Sequence, residues 1–412
     1  MRLLYIADGR SQIALNWIEY FIHAGHEVHL ASTFPCEVID GLASMVVIPV
    51  AMSGITDLPG SKGRVGGRLL REIIPVAMRT RIRQLTAPSS FSKAAHALVE
   101  LILEIKPELV HAMRIPYEGM IASMAMEQLA VREGIFRKSP LLISVWGNDF
   151  TLHAKSTRRI AVATRQALQT CDGLHTDCQR DQQLAKTWGF DDSKPSIVMP
   201  GGGGVRMDIF YPAENGQGDD RTYPATDLSV LTIINPRGFR AYVRNDTFFQ
   251  AIPMVLEKYA GVHFVCPSMS KEARAQRWVT ELGIAGRVEL LPTQSRQQMA
   301  ELFRQAQISL SITTHDGTPN TLLEAMACGC FPIAGDIESL REWITPGVNG
   351  LLVDPGNPQA LAEAIVKAIA QPELRRVAKG RNLELVKERA EYGECMERAG
   401  EFYQRLISSR FR

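Results

Sequence analysis

At 412 residues the chain is too long for one ordinary core and calls for two or three domains. Its 45% apolar content is that of a soluble globular protein, and a net charge of +2 gives no argument for nucleic acid as a partner. Seven scattered cysteines, an odd number without CxxC or Cys/His zinc spacing, argue against a disulfide framework or a zinc module.

The opening MRLLYIADGR reads as a strand over residues 3–7 and then a turn, without the long apolar run or cleavage site of a signal peptide. A helix pattern follows over residues 14–24 and stops at Gly25, and EVHLAS (27–32) reads as the next strand. This is one βαβ unit, which implies parallel strands and a right-handed crossover. Strand candidates continue at 45–50, 109–112, 141–146, 174–176 and 196–199, with helical patterns between most of them. After the glycine run at 200–204 comes a stretch rich in Gly, Pro and acid, which reads as a linker. Alternation then restarts. Strands are expected at 228–235, 263–267, 288–292, 308–313, 331–335 and 350–354, and helices at 248–259, 271–282, 297–306 and 357–370.

Two successive sets of alternating elements imply an α/β chain of two Rossmann-like, doubly wound parallel-sheet domains facing each other across a cleft. We divide it into a first domain at 1–205, a linker at 206–227, a second domain at 228–390 and a C-terminal helix at 391–412 that is expected to return to the first domain.

The stretch HDGTPNTLLEAMACGC (315–330) sits where the fourth strand of the second set hands over to a helix. Pro319 suits a first helical position, since its missing N–H has no partner there in any case. The N–H groups of Asn320, Thr321 and Leu322 then form, with the helix dipole, a site for phosphate. Asp316 in the turn and Glu324 one turn into the helix are placed to accept hydroxyls, Asp316 from a sugar and Glu324 from a ribose. The same pattern also fits a helix capped by Asp316 with Glu324 solvated on its surface.

Residues 315–365 resemble the nucleotide-sugar signature of the retaining glycosyltransferase family 4, a group 1 family of GT-B fold: an acid, seven residues, a Glu, then a small-residue run. Here the first acid is Asp316 where the family more often has Glu. ESLREWI, GVNGLLVDPGNP, KPELVHAM (106–113) and the N-terminal strand, loop and helix also resemble the family, so the likeness covers most of the chain as a divergent member.

The resemblance implies a hexosyl- or N-acetylhexosaminyltransferase that moves a sugar with retention from a nucleotide-diphosphate sugar to a hydroxyl of a glycan, glycolipid or small glycoside precursor. It implies no obligatory metal or other cofactor. Asp316, Glu324 and the arginines would be catalytic, with Gly317, Thr318, Pro319, Asn320, Thr321 and Leu322 binding donor. Members carry an Arg and a Lys that hold the diphosphate; NPRGFRAYVRND (235–246) has no Lys, so Arg237 takes the Arg place and Arg240 and Arg244 compete for the second cation. On the acceptor side it implies Gly9, Arg10 and Ser11, and also Trp146, Gly147, Asn148 and Asp149, with Trp146 standing where many members have His.

Two other readings share the fold: a nucleotide-sugar 2-epimerase and a non-catalytic nucleotide-sugar-binding subunit. Residues 62–83, where six arginines interleave with apolar residues, fit an anionic membrane surface, a phosphorylated acceptor or a solvated helix face. We expect a cytoplasmic protein, with a peripheral place on the inner face of a membrane as the alternative.

Overall fold

The computed structural model describes residues 1–50, 90–133, 139–213 and 231–409. The basic segment at 62–83 and residues 214–227 of the expected linker lie outside them. Two compact units divide the chain: residues 1–203 with 394–412, and residues 204–393.

The first unit holds seven parallel strands: β1 (Arg2–Ala7), β2 (Glu27–Ser32), β3 (Ser44–Val47), β4 (Leu109–Met113), β5 (Leu141–Val145), β6 (Gly173–Thr176) and β7 (Ser196–Val198). Their order is β3-β2-β1-β4-β5-β6-β7. Strands β4 and β5 are buried at every residue, which is why they read as unbroken apolar runs rather than alternating ones. The described helices are α1 (Gln12–His23), α2 (Phe91–Ile105), α3 (Met120–Glu133), α4 (Arg158–Thr170) and α5 (Gln179–Thr187). Ser11 caps α1 by accepting from the Ala14 N–H, and the chain leaves the helix through Gly25 at φ +78°.

The second unit holds β8 (Thr232–Ile234), β9 (His263–Cys266), β10 (Val288–Leu290), β11 (Ile308–Ser311), β12 (Phe331–Gly335) and β13 (Leu351–Val353), all parallel in the order β10-β9-β8-β11-β12-β13. Its helices are α6 (Asn245–Lys258), α7 (Ala273–Glu281), α8 (Arg296–Gln305), α9 (Asn320–Ala327), α10 (Pro358–Ala370) and α11 (Pro372–Ala390). A last helix, α12 (Tyr392–Ser409), runs back into the first unit from Glu394. The chain crosses between units at two adjacent places, where the Val205 N–H donates to Ala390 O at 2.7 Å and the Tyr392 N–H to Val205 O at 3.0 Å.

Strand order reverses between β1 and β4 in one sheet and between β8 and β11 in the other. In open parallel sheets ligands bind outside the carboxyl ends of the strands at such a switch point. Both loops that carry the candidate donor residues leave the sheet there, one from β8 and one from β11. Among the described residues no helix is long and apolar enough to cross a membrane.

Candidate active site

Beyond β8, the buried Asn235 donates to Asn245 Oδ1 at 3.1 Å, and Asn245 donates to Gly238 O at 2.8 Å. These bonds brace both ends of the arginine loop. Its far side pairs with the segment leaving β11: Arg244 N–H donates to Ile312 O and Thr314 N–H to Tyr242 O, each at 2.9 Å. That segment in turn lies hard against β12, because a Cβ on Gly335 would come within 2.5 Å of Thr313 O.

The turn before α9 is fixed from behind. Ser339 Oγ donates to Asp316 O at 2.7 Å, and the Trp343 indole N–H donates to the hydroxyl of buried Thr318 at 3.0 Å. Gly317 and Pro319 are buried beside Thr318. Pro319 is the N-cap of α9 and not its first helical residue; its ψ of 121° is extended, and the helix starts at Asn320. Its carbonyl takes the Leu322 N–H at 3.0 Å, so Leu322 drops out of the expected anion site. Asn320 and Thr321 keep backbone N–H groups without a partner among the described residues.

The two loops meet through Arg237. Its Nη2 donates to the Asp316 carboxylate and its Nη1 to Thr321 Oγ1 at 3.3 Å, in a pair of which only 10% and 15% of the side chains are exposed. The guanidinium therefore lies beside the open N-terminus of α9. Arg244 is spent differently: it pairs with Asp246 at 2.9 Å in the first turn of α6. Arg240 is exposed and makes no ion pair among the described residues. Of the two candidates for a second diphosphate cation, Arg240 is thus the available one.

Glu324 is half-buried, and burial pushes its carboxyl up to about 7 against the pull of Arg296 and Arg237. It is not the solvated surface residue that the plain capped-helix reading required. Arg296, the first residue of α8, was not singled out by the sequence. The capping box of Ser295 and Gln298 marks that helix start, but no local pattern shows that its arginine faces Glu324.

In the first unit, Gly9, Arg10 and Ser11 are tied locally. Arg10 pairs with Asp8 at 2.8 Å and lies 3.8 Å over the Phe34 ring, while Ser11 caps α1. A Cβ on Gly9 would meet Cys36 Sγ at 2.4 Å, so the close approach that this glycine permits is to the chain's own β2 loop.

Trp146, Gly147, Asn148 and Asp149 gather at the carboxyl end of β5. Buried Asp149 binds Arg114 Nε at 2.8 Å and accepts the Trp146 N–H at 3.0 Å, and Asn148 Oδ1 takes Arg114 Nη2 at 2.7 Å. Burial raises the Asp149 carboxyl despite Arg114. Gly147 is held from both sides, its N–H by Asp177 at 3.0 Å and its carbonyl by Arg180 at 2.6 Å. Trp146 is partly exposed and its buried indole N–H has no partner among the described residues. Arg114 escaped the sequence reading. It sits at φ +135° and Tyr117 at φ +78°, unusual backbone for such residues, and nothing in RIPYEG announces it.

One trio among the described residues has metal-ligand proximity, Asp177, Cys178 and Asp181. Two of its three groups are already engaged within the protein, Asp181 with Arg180 at 2.8 Å and Asp177 with the Gly147 N–H at 3.0 Å.

Residues 232–382 match the family model for Glycosyl transferases group 1. The D-inositol 3-phosphate glycosyltransferase of Streptosporangium roseum is 25% identical over 222 residues, 51% of this chain and 50% of that protein. The chain spans about half the length of the curated relatives it matches. Among solved structures, the sucrose-phosphate synthase of Thermosynechococcus elongatus superimposes with a TM-score of 0.72 at 15% identity, over 99% of this chain and 100% of that one. Anabaena HepE in complex with UDP and glucose gives 0.68 at 14%, over 97% and 98%. Residues 232–382, within the second unit, thus match the group 1 glycosyltransferases, and the two parallel-sheet units share the GT-B fold of these solved structures.

Proposed function

We propose that the protein is a retaining glycosyltransferase that takes a hexosyl or N-acetylhexosaminyl group from a nucleotide-diphosphate sugar and passes it to a hydroxyl of a glycan, glycolipid or small glycoside precursor. The observation that carries this reading is the convergence of Arg237, Asp316, Thr321 and the open N-terminus of α9 at the switch point of the second sheet. Breaking the glycosidic bond to a diphosphate leaves negative charge on the departing phosphate. Preorganised cations and helix N–H groups stabilise that charge without a nucleophile and, in this reading, without an obligatory metal. Arg237 and the Asn320 and Thr321 N–H groups form the fixed part of that site, and exposed Arg240 closes on it. Glu324 receives the ribose hydroxyls. Asn148 and Trp146 serve the acceptor side.

UDP is the first donor nucleotide to try, because a structure of the same fold holds it. A thermal-shift series with UDP, GDP, ADP and dTDP, followed by their sugars, tests the reading. A ligand at 100 times its Kd raises stability by about 2.7 kcal/mol. One nucleoside diphosphate is expected to raise Tm, and Glu324→Ala and Arg240→Ala are each expected to weaken binding and abolish most sugar transfer. Retained turnover in both variants would refute the site; epimerisation of the nucleotide sugar without transfer would refute the reaction.

A further inference from the structure

Resting on the donor-site reading above, we infer that Asp316 is a positioning residue that aims Arg237 at the donor diphosphate. Arginine side chains are long and lose much rotamer freedom when they are fixed on a ligand; one already fixed in the free protein loses less on binding. Arg237 is fixed in this way. One end of its fork is on Asp316 and the other on Thr321, and only 10% of the side chain is exposed. Each Nη retains a second N–H for a phosphate oxygen. The fork ends beside the two N–H groups of α9 that have no partner among the described residues, so cation and helix terminus form one anion site.

The shorter acid fits this task. Asp316 is anchored through its own carbonyl by Ser339, and the next residues are locked by Trp343 on Thr318. Its carboxylate therefore has a fixed origin and meets the guanidinium directly. A negative charge near a diphosphate also repels it. The guanidinium stands between the two, and Coulomb energy falls with distance, so the contact pair outweighs the more distant repulsion.

The test is a double-mutant cycle on Asp316→Asn and Arg237→Gln. It is read by calorimetric Kd for whichever of UDP, GDP, ADP and dTDP stabilises the wild type most, and for the matching monophosphate and sugar. We expect Asp316→Asn to weaken the diphosphate about tenfold, to leave the monophosphate nearly unchanged, and to add almost nothing in the Arg237→Gln background. Asp316→Glu should restore part of the affinity. Thr321→Val, which removes the other end of the fork, should show the same pattern more weakly and serves if Asp316→Asn fails to fold. Diphosphate affinity that is unchanged or tighter overturns the inference. So does a loss confined to the nucleotide sugar that adds to Arg237→Gln, since Asp316 would then be a sugar contact. If no nucleoside diphosphate binds the wild type, the donor-site reading falls and this inference with it.

Discussion

Glu324 is a carboxyl that its surroundings keep near the edge of ionisation. Burial raises it to about 7, while Arg296 and Arg237 pull it down. Ribose hydroxyls donate best to the carboxylate, so donor binding should require the ionised form and in turn favour it. Nucleotide-sugar affinity should therefore rise as pH increases through about 7 and level off above it. Stability runs the other way. Between the ordinary glutamate range and about 7 the native state holds a proton that the unfolded state has lost, so this residue lowers folding stability as pH rises across that window. Binding isotherms of the nucleotide sugar from pH 6 to 8 check the first point. Glu324→Gln should bind more weakly at pH 8 and lose most of the slope, whereas an unaltered slope would place the titration elsewhere.

At the scale of elements, the proposed donor site depends on how closely β11 and β12 deliver their loops. Gly335 ends β12, and a methyl group there would sit 2.5 Å from Thr313 O and 3.2 Å from its N. Both are backbone atoms, so neither can swing away. Gly335→Ala should shift the 312–314 segment, disturb its pairing with Tyr242 and Arg244, and cost about 1–3 kcal/mol of stability by overpacking. Because that pairing carries the arginine loop, nucleotide affinity should fall as well. Urea denaturation and nucleotide titration of the variant measure both effects, and loss of stability alone would separate the strand packing from the site.

The same elements show what a sequence can and cannot disclose. Strands such as LLISV and FPIAG were legible because a strand buried on both faces must be apolar throughout. Asp316 and Glu324 stood out because turn chemistry precedes a helix. The pairing of Asp316 with Arg237 spans 79 positions and two loops, and no local pattern encodes it. The same holds for the grip of Arg114 on Asp149, 35 positions away. Pro319 fell one place outside the helix because its preferred φ serves an N-cap as well as a first helical residue.

At the scale of the whole molecule, the chain begins and ends in the same unit, and Tyr403 of α12 joins the network that ties the end to the start. His175 Nε2 lies 2.9 Å from Met199 O, a carbonyl, so it must carry the proton. His175 Nδ1 then accepts from Ser144 Oγ at 2.8 Å, Ser144 accepts from His111 Nε2 at 2.7 Å, and His111 Nδ1 accepts from the Tyr403 hydroxyl at 2.6 Å. The Tyr403 oxygen receives the Trp17 indole N–H at 2.8 Å. Each proton then has one direction, the arrangement that neutral imidazoles give. Burial agrees, holding His111 well below its usual range and His175 down to about 4. His111 is thus a satisfied core histidine. Tyr403→Phe removes the donor to His111 and the acceptor for Trp17 in a buried place, where each orphaned group costs about 1–3 kcal/mol. The variant should lose about 2–4 kcal/mol in urea denaturation while its nucleotide affinity stays unchanged, because the proposed donor residues belong to the other unit. A comparable loss of nucleotide affinity would show that the network reaches the donor site.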